Sequence, residues 1–158
     1  MATQQSVQLA KQNYASLCAM LDDINWKYDK DDENLFIDCS ARGDDLPISI
    51  RIKFNTELQI VTLYSLLPFT VEESKRRIMA IAVSRANMGM IDGDFDYNDE
   101  SGRIVFRLTA SYSDSLLSKD MFQYILFVSC RTVDDYNDKF LTVSKNDMSI
   151  DQVISFVE

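Results

Sequence analysis

Histidine is absent from this chain of 158 residues. Histidine is the usual general base at neutral pH and the usual nitrogen ligand of protein-bound metals. Its absence therefore excludes every catalytic triad that depends on histidine. Hydrolases that use carboxylates alone, and chemistry based on lysine or tyrosine, remain open.

The sequence also lacks the glycine-rich phosphate-binding loops and the nucleophile elbow that identify many enzymes. Adjacent acidic pairs occur in predicted polar turns or on helix surfaces, at Asp22-Asp23, Asp44-Asp45 and Asp134-Asp135. Neighbouring residues of a helix point in different directions, so none of these pairs suits joint acid–base catalysis. We predict a protein that is not an enzyme, with no catalytic residues, no metal site and no cofactor.

Cysteine is scarce, and Cys18, Cys39 and Cys130 lie far apart in the sequence without forming a CxxC pair. Their odd number argues against a framework of disulfides, so we predict buried, reduced thiols. No run of about 18 apolar residues is present, which predicts no membrane-spanning helix. The first residues also lack the basic and apolar parts of a secretory signal, and the cytoplasm is the expected location.

Positive charge is in the minority, because 25 acidic residues outnumber 16 basic ones and give a net charge of −9. Such a chain repels phosphate backbones, so we expect no nucleic-acid partner, and we expect no membrane partner either. Only four glycines and two prolines interrupt the sequence. With no linker or repeat, the length fits a single domain over residues 1–158.

Apolar residues in the first part of the chain show two different periods. Steps of three and four over residues 4–24 predict an amphipathic helix. A period of two then predicts four strands joined by short polar turns, at about 26–28, 35–41, 48–54 and 58–66. Such short connections predict an antiparallel meander. The fourth strand is apolar on both faces, which predicts a central position or cover on both sides.

The second part of the chain predicts helices with recognisable starts. Thr70 and Glu73 match a capping box, so a helix is expected from there to Met88. Ser118 is the predicted N-cap of a long helix, which either runs to about Lys145 or breaks near Arg131.

Two strands, at 93–98 and 103–112, lie between those helices, and a second capping box at Ser149 predicts a short terminal helix. The order is α-β-β-β-β-α-β-β-α-α. Antiparallel strands separated by helices in this way are typical of the α+β class.

The stretch DGDFDYNDESG, residues 92–102, resembles the start of a calcium-binding loop. Such a loop needs glycine at its sixth position and glutamate at its twelfth, which here are Tyr97 and Arg103. In a strand, the same alternation places four polar side chains on one face: Asp92, Asp94, Asp96 and Asn98. We therefore predict a β-hairpin with Gly102 in its turn, and a polar turn at Asp29, Asp31 and Glu33, in place of metal sites.

Two groups of side chains are candidates for binding. Four aromatic residues could line a pocket or touch a partner, although core packing would also explain them: Trp26, Tyr28, Phe69 and Tyr112. The basic cluster Lys75, Arg76 and Arg77 could bind an anion, or could simply be a solvated helix face.

From Gly93 onwards, GDFDYNDESGRIVFRLTAS followed by LSKDMFQYILFVSCRTVDDYNDKFLTV resembles the bacterial YbjN-like family, which is labelled a sensory transduction regulator. The matching features are a glycine before a short strand, core aromatics and the hairpin turn, at Gly93, Phe95, Gly102, Phe106-Arg107 and Tyr136. The order of the earlier elements fits as well, so the resemblance covers about residues 7–157.

The resemblance implies a fold similar to type III secretion chaperones, in which helices pack against a curved antiparallel sheet and the protein is commonly dimeric. It implies no set of catalytic residues. We expect a non-enzymatic, chaperone-like or regulatory module of the bacterial cytosol, a homodimer that binds a partner polypeptide by a groove or a sheet edge. The alternative is a small-ligand sensor with a pocket between sheet and helices.

Overall fold

A computed structural model describes residues 2–158 of the chain. Six strands form one antiparallel sheet in the order β1-β2-β3-β4-β6-β5. Their bounds are β1 Tyr28–Asp31, β2 Phe36–Arg42, β3 Pro47–Asn55, β4 Ile60–Leu66, β5 Asp94–Asn98 and β6 Arg103–Ser111. The predicted α+β class, the meander of the first four strands and the order of elements are confirmed.

Four helices accompany the sheet: α1 Gln4–Asp23, α2 Arg76–Asn87, α3 Lys119–Lys145 and α4 Ile150–Val157. Helix α3 is continuous through Arg131. The hydroxyl of Ser118 accepts from the Met121 N–H, and Ser149 forms the complete capping box with Gln152. Both predicted N-caps are therefore confirmed.

The helices cover one face of the sheet. Strand β3 shows this most clearly, because its residues alternate strictly between exposed and buried, with Ile50, Ile52 and Phe54 on the covered side. The predicted central position of β4 is confirmed. However, Tyr64 and Leu66 on its other side are 38% and 43% exposed, so the described chain does not cover β4 on both sides.

Helix α3 crosses the covered face diagonally. Near its start, the ring of Phe122 lies 6.2 Å from that of Phe54 on β3, and near its end Phe140 lies 5.0 Å from Phe95 on β5. Burial of each such ring stabilises the fold by roughly 1.5–3 kcal/mol. These contacts hold one side of α3 against the sheet and leave its opposite side free.

Two local predictions are wrong. The capping box at Thr70 does not form, because the Val71 N–H donates to the carbonyl oxygen of Gly102 and holds this segment in a different conformation. A 3-10 turn at Glu73–Lys75 follows, and α2 begins only at Arg76. The predicted polar turn from Asp29 is also too long, since β1 extends to Asp31 and pairs with β2.

Candidate protein-interaction surfaces

The acidic stretch that resembles the start of a calcium-binding loop, residues 92–102, forms the predicted hairpin of β5 and β6. Gly102 in its turn has a φ of +71°, the left-handed conformation that favours glycine. Asp94 and Asp96 both form ion pairs with Arg107 on β6. Asp92 lies before the strand, where its carboxylate accepts a hydrogen bond from the Tyr124 hydroxyl on α3. Asp92, Asp94 and Asp96 therefore have partners within the protein.

The four candidate aromatic residues have separate surroundings, and no ring contact within residues 2–158 joins any two of them. Trp26 packs against Phe127 of α3. The hydroxyl of Tyr28 donates to Asp22, whereas Tyr112 is fully buried, with its hydroxyl bonded to the carbonyl of Asn55.

Phe69, the fourth candidate, is half-buried against the core. Of the four, Trp26 is the one whose ring contacts an exposed aromatic residue of a helix.

Two cations of the basic cluster contact different parts of the chain. Lys75 pairs with Asp147 before α4, and the pKa of that carboxyl is lowered by the lysine. Arg76 donates to the carbonyl of Glu100 in the β5–β6 turn at 2.8 Å. Arg77 is exposed. Two of the three cations therefore connect elements of the fold.

The adjacent acidic pairs and the cysteines also have structural surroundings. Asp134 accepts from the Asp44 N–H, and Asp23 pairs with Lys119. Burial raises the pKa of the Cys39 thiol to about 11 and that of Cys130 to about 12. These cysteines are protonated at neutral pH, which makes them poor nucleophiles.

The uncovered side of the sheet carries a ladder of charged and aromatic side chains across five strands. Tyr64 at its centre faces Arg107 on β6 and Arg51 on β3. Arg51 makes two hydrogen bonds to Asp38 on β2, of 2.7 and 2.6 Å, and its guanidinium lies 4.7 Å from the ring centre of Phe36. This pairing lowers the pKa of Asp38.

We call this side the outer face and define it by the outward side chains of β3, β4 and β6: Arg51, Lys53, Tyr64, Leu66, Arg103, Val105 and Arg107. Two shallow grooves run over it, and Tyr64 borders both. Large apolar side chains therefore lie in the middle of the sheet with cations around them. This composition is typical of a surface that binds another polypeptide.

A second exposed apolar surface lies on the first half of α3. Met121, Tyr124 and Phe127, here called the α3 stripe, are 41%, 48% and 43% exposed. They follow one another at intervals of three along the helix, and Phe127 continues the surface to Trp26.

The edges of the sheet are less accessible than its outer face. On the outer edge of β5, the Asn87 side chain accepts from the Phe95 N–H at 2.9 Å and donates to the Phe95 carbonyl at 3.0 Å. One amide group thus occupies one N–H and one carbonyl that an added strand would use. The other edge strand, β1, has only four residues.

Sequence reasoning missed the outer face and the α3 stripe. The first had a signal, since Tyr64 and Leu66 fall on the same side of β4 as Arg51 does on β3 once the antiparallel pairing is known. The α3 stripe also had a sequence signal, which is the regular spacing of Met121, Tyr124 and Phe127 beside the core positions.

Residues 13–142 match the sequence family YbjN, described as "Putative bacterial sensory transduction regulator". The chain belongs to the YbjN family. The match covers both hairpin strands, the outer face and nearly all of α3. It thereby confirms the family that the sequence resembles from Gly93 onwards.

Two solved structures share the fold of this YbjN-family chain. One is "YbjN, a putative transcription regulator from E. coli", with a TM-score of 0.57 and 12% identity over 79% of this chain and 91% of that one. The other is the ExsC–ExsE complex, with a TM-score of 0.59 and 14% identity over 82% and 94% of the respective chains. The expected likeness to the fold of type III secretion chaperones is confirmed. No curated protein matches the sequence significantly.

No helix within residues 2–158 combines the length and the apolar character needed to cross a bilayer.

Proposed function

We propose that this YbjN-family chain is a non-enzymatic regulatory module of the bacterial cytosol that forms a homodimer and binds a partner polypeptide. The observation that carries the proposal is the α3 stripe. Met121, Tyr124 and Phe127 stay exposed on a helix whose opposite side packs into the core. Large apolar side chains grouped on one exposed helix surface are typical of protein interfaces.

Two comparisons support a protein-binding role. The family is described in terms of sensory transduction and regulation, and one structure of the same fold is a complex between two proteins. The contacts of the acidic pairs and the raised pKa values of the cysteines also favour a role without catalysis.

The α3 stripe is the surface that we assign to self-association. Each copy carries a net charge of −9, so two copies repel each other wherever their carboxylates meet. No residue of α3 between Asp120 and Asp134 is acidic, and the Asp92 carboxylate beside the stripe accepts a hydrogen bond from the Tyr124 hydroxyl. The first half of α3 therefore carries less of that repulsion than a stretch with its own carboxylates would. A two-fold axis through this surface would bring the stripes of both copies together.

Sedimentation velocity of the full chain tests self-association. We expect a dimer for the wild-type protein and a monomer for Phe127→Asp and for Met121→Asp. Met121 lies in the first turn of α3, where an added carboxylate is compatible with the helix dipole, so this variant should still fold. Ile150→Asp is the matched control, because Ile150 is also an exposed apolar residue but lies on α4. It should remain dimeric.

Affinity capture from lysate of the native bacterium tests partner binding. A partner should be retained by the wild-type chain and identified by mass spectrometry. A wild-type protein that sediments as a monomer and retains no partner would overturn the proposal.

A further inference from the structure

The outer face differs in charge from the rest of the molecule. Its three strands β3, β4 and β6 present four cations on their outward positions, Arg51, Lys53, Arg103 and Arg107, and no acidic residue. The whole chain, in contrast, has 25 acidic residues and only 16 basic ones. The acidic residues of the sheet are confined to the flanking strands β1, β2 and β5.

These four cations are not equivalent. Arg51 and Arg107 are paired with aspartates of the flanking strands. Lys53 and Arg103 are exposed, and within residues 2–158 neither has an ion-pair partner. Two unpaired cations therefore remain available on a surface whose other charges are largely neutralised.

The two unpaired cations lie at opposite ends of the apolar centre. In the strand register, Lys53 on β3 lies opposite Thr62 on β4, and Thr62 lies opposite Thr109 on β6. Arg103 precedes Thr109 by six residues on the same strand, a separation of roughly 20 Å along the strand at ~3.4 Å per residue. Tyr64, Leu66 and Val105 occupy the space between, so an extended segment of about six residues would span the whole surface.

We infer that the outer face binds an extended segment of the partner polypeptide that has apolar residues at its centre and carboxylates toward its ends. The carboxylates would pair with Lys53 and Arg103, and the apolar side chains would pack on Tyr64 and Leu66. This inference rests on the proposed function, since it identifies the site and the chemistry of the partner. Charge complementarity selects an acidic segment, and the side chain of Asn87 on the β5 edge disfavours strand addition there.

Fluorescence anisotropy with two labelled peptides tests the inference on the full chain. The acidic probe has leucines at its centre and glutamates on both sides, and the basic probe has lysines in place of the glutamates. We expect the wild-type chain to bind the acidic probe, more weakly as salt increases, and not to bind the basic probe.

Charge reversal supplies the decisive variant. Lys53→Glu combined with Arg103→Glu should weaken binding of the acidic probe by at least about tenfold. Because neither side chain has an ion-pair partner, the double variant should keep the wild-type melting temperature and the wild-type sedimentation. Tyr64→Asp should also reduce binding, whereas Ile150→Asp, on α4, should not.

Several results would overturn the inference. They are no binding of the acidic probe, equal binding of the basic probe, or unchanged binding by the charge-reversal variant. A single-stranded oligonucleotide that binds and is lost in the same variant would identify a nucleic-acid site instead. A fall to monomer in that variant would identify a second copy of the chain as the occupant.

The same variants separate this inference from the proposed function. If a partner captured from lysate is retained equally by the wild-type chain and by the charge-reversal variant, the proposed function stands and the inferred site is wrong. If Phe127→Asp leaves the dimer intact while the acidic probe binds as expected, the assigned dimer surface is wrong and the inferred site stands.

Discussion

The backbone N–H of Val71 donates to the carbonyl oxygen of Gly102 at 2.9 Å, which joins the segment after β4 to the β5–β6 turn. A Cβ atom on Gly102 would lie 2.2 Å from the Val71 carbonyl oxygen, and the φ of Gly102 is +71°. We expect Gly102→Ala to lower the free energy of unfolding by at least about 2 kcal/mol, through backbone strain and steric overlap.

Urea denaturation measures this effect, and Gly89→Ala is the control. A Cβ atom on Gly89 would meet nothing within 4 Å, so that variant should unfold at the wild-type midpoint. Equal midpoints for Gly102→Ala and the wild-type chain would contradict the prediction.

Two buried asparagines should respond in opposite ways when each is replaced by leucine. Asn137 on α3 is fully buried, and within residues 2–158 neither atom of its amide has a hydrogen-bond partner. Replacing it with leucine removes an unsatisfied polar group, so Asn137→Leu should raise the free energy of unfolding by about 1–2 kcal/mol.

Asn13 is equally buried, but its amide bonds to Leu9, Ser115 and Leu117 and thereby holds the loop before α3 against α1. Asn13→Leu should therefore destabilise the protein by at least about 2 kcal/mol, because the partners lose their bonds. Thermal or chemical unfolding of both variants measures these two changes in stability. A loss of stability in Asn137→Leu would show that its amide is satisfied in solution.

Thiol reactivity should follow the raised pKa values of Cys39 and Cys130. Unfolded cysteine has a pKa of about 8.5, whereas burial raises the two thiols to about 11 and about 12 in the folded chain. At pH 8, iodoacetamide should therefore alkylate these residues far more slowly in the folded protein than in urea. Peptide mass spectrometry measures both rates, and similar rates would refute the prediction.

The same shifts give a pH dependence of stability. Between about pH 8.5 and the raised values, the folded chain retains protons that the unfolded chain has released. The contribution of these thiols to stability is therefore fully present below about pH 8.5 and is lost as the pH rises above it. Cys39→Ala and Cys130→Ala should reduce this alkaline decline.

Sequence reasoning predicted the elements that depend on local patterns. The alternation in β3 identifies its buried side, and Gly102 identifies a hairpin turn, because both follow from backbone geometry alone. The local predictions were wrong where a segment forms hydrogen bonds with a distant part of the chain. Thr70 does not cap a helix because Val71 bonds to a residue 31 positions later, and no local pattern contains that information.

The binding surfaces were hard to predict for the same reason. The apolar residues of α3 extend around more than one side, and the sequence does not indicate which side the sheet covers. Lys75 and Arg76 formed a cluster in the sequence, but their partners, Asp147 and Glu100, belong to separate parts of the fold. The tertiary structure thus decides which charges remain available.

Replacing Asn87 should expose the outer edge of β5. Asn87→Ala removes both hydrogen bonds to Phe95 and should lower the free energy of unfolding by about 1–3 kcal/mol. Asn87→Asp keeps the acceptor but opposes the Phe95 carbonyl with a carboxylate, so it should also be less stable than the wild-type protein. Denaturation midpoints equal to that of the wild type would show that the contacts contribute nothing.

The contact between Asn87 and Phe95 also bears on aggregation of the protein at high concentration. An exposed strand edge is a template on which further copies can add strands without limit and grow into fibrils. The amide of Asn87 occupies the backbone N–H and carbonyl of Phe95 on an edge strand of the six-stranded sheet. We therefore expect this side chain to make such strand addition at the β5 edge less favourable.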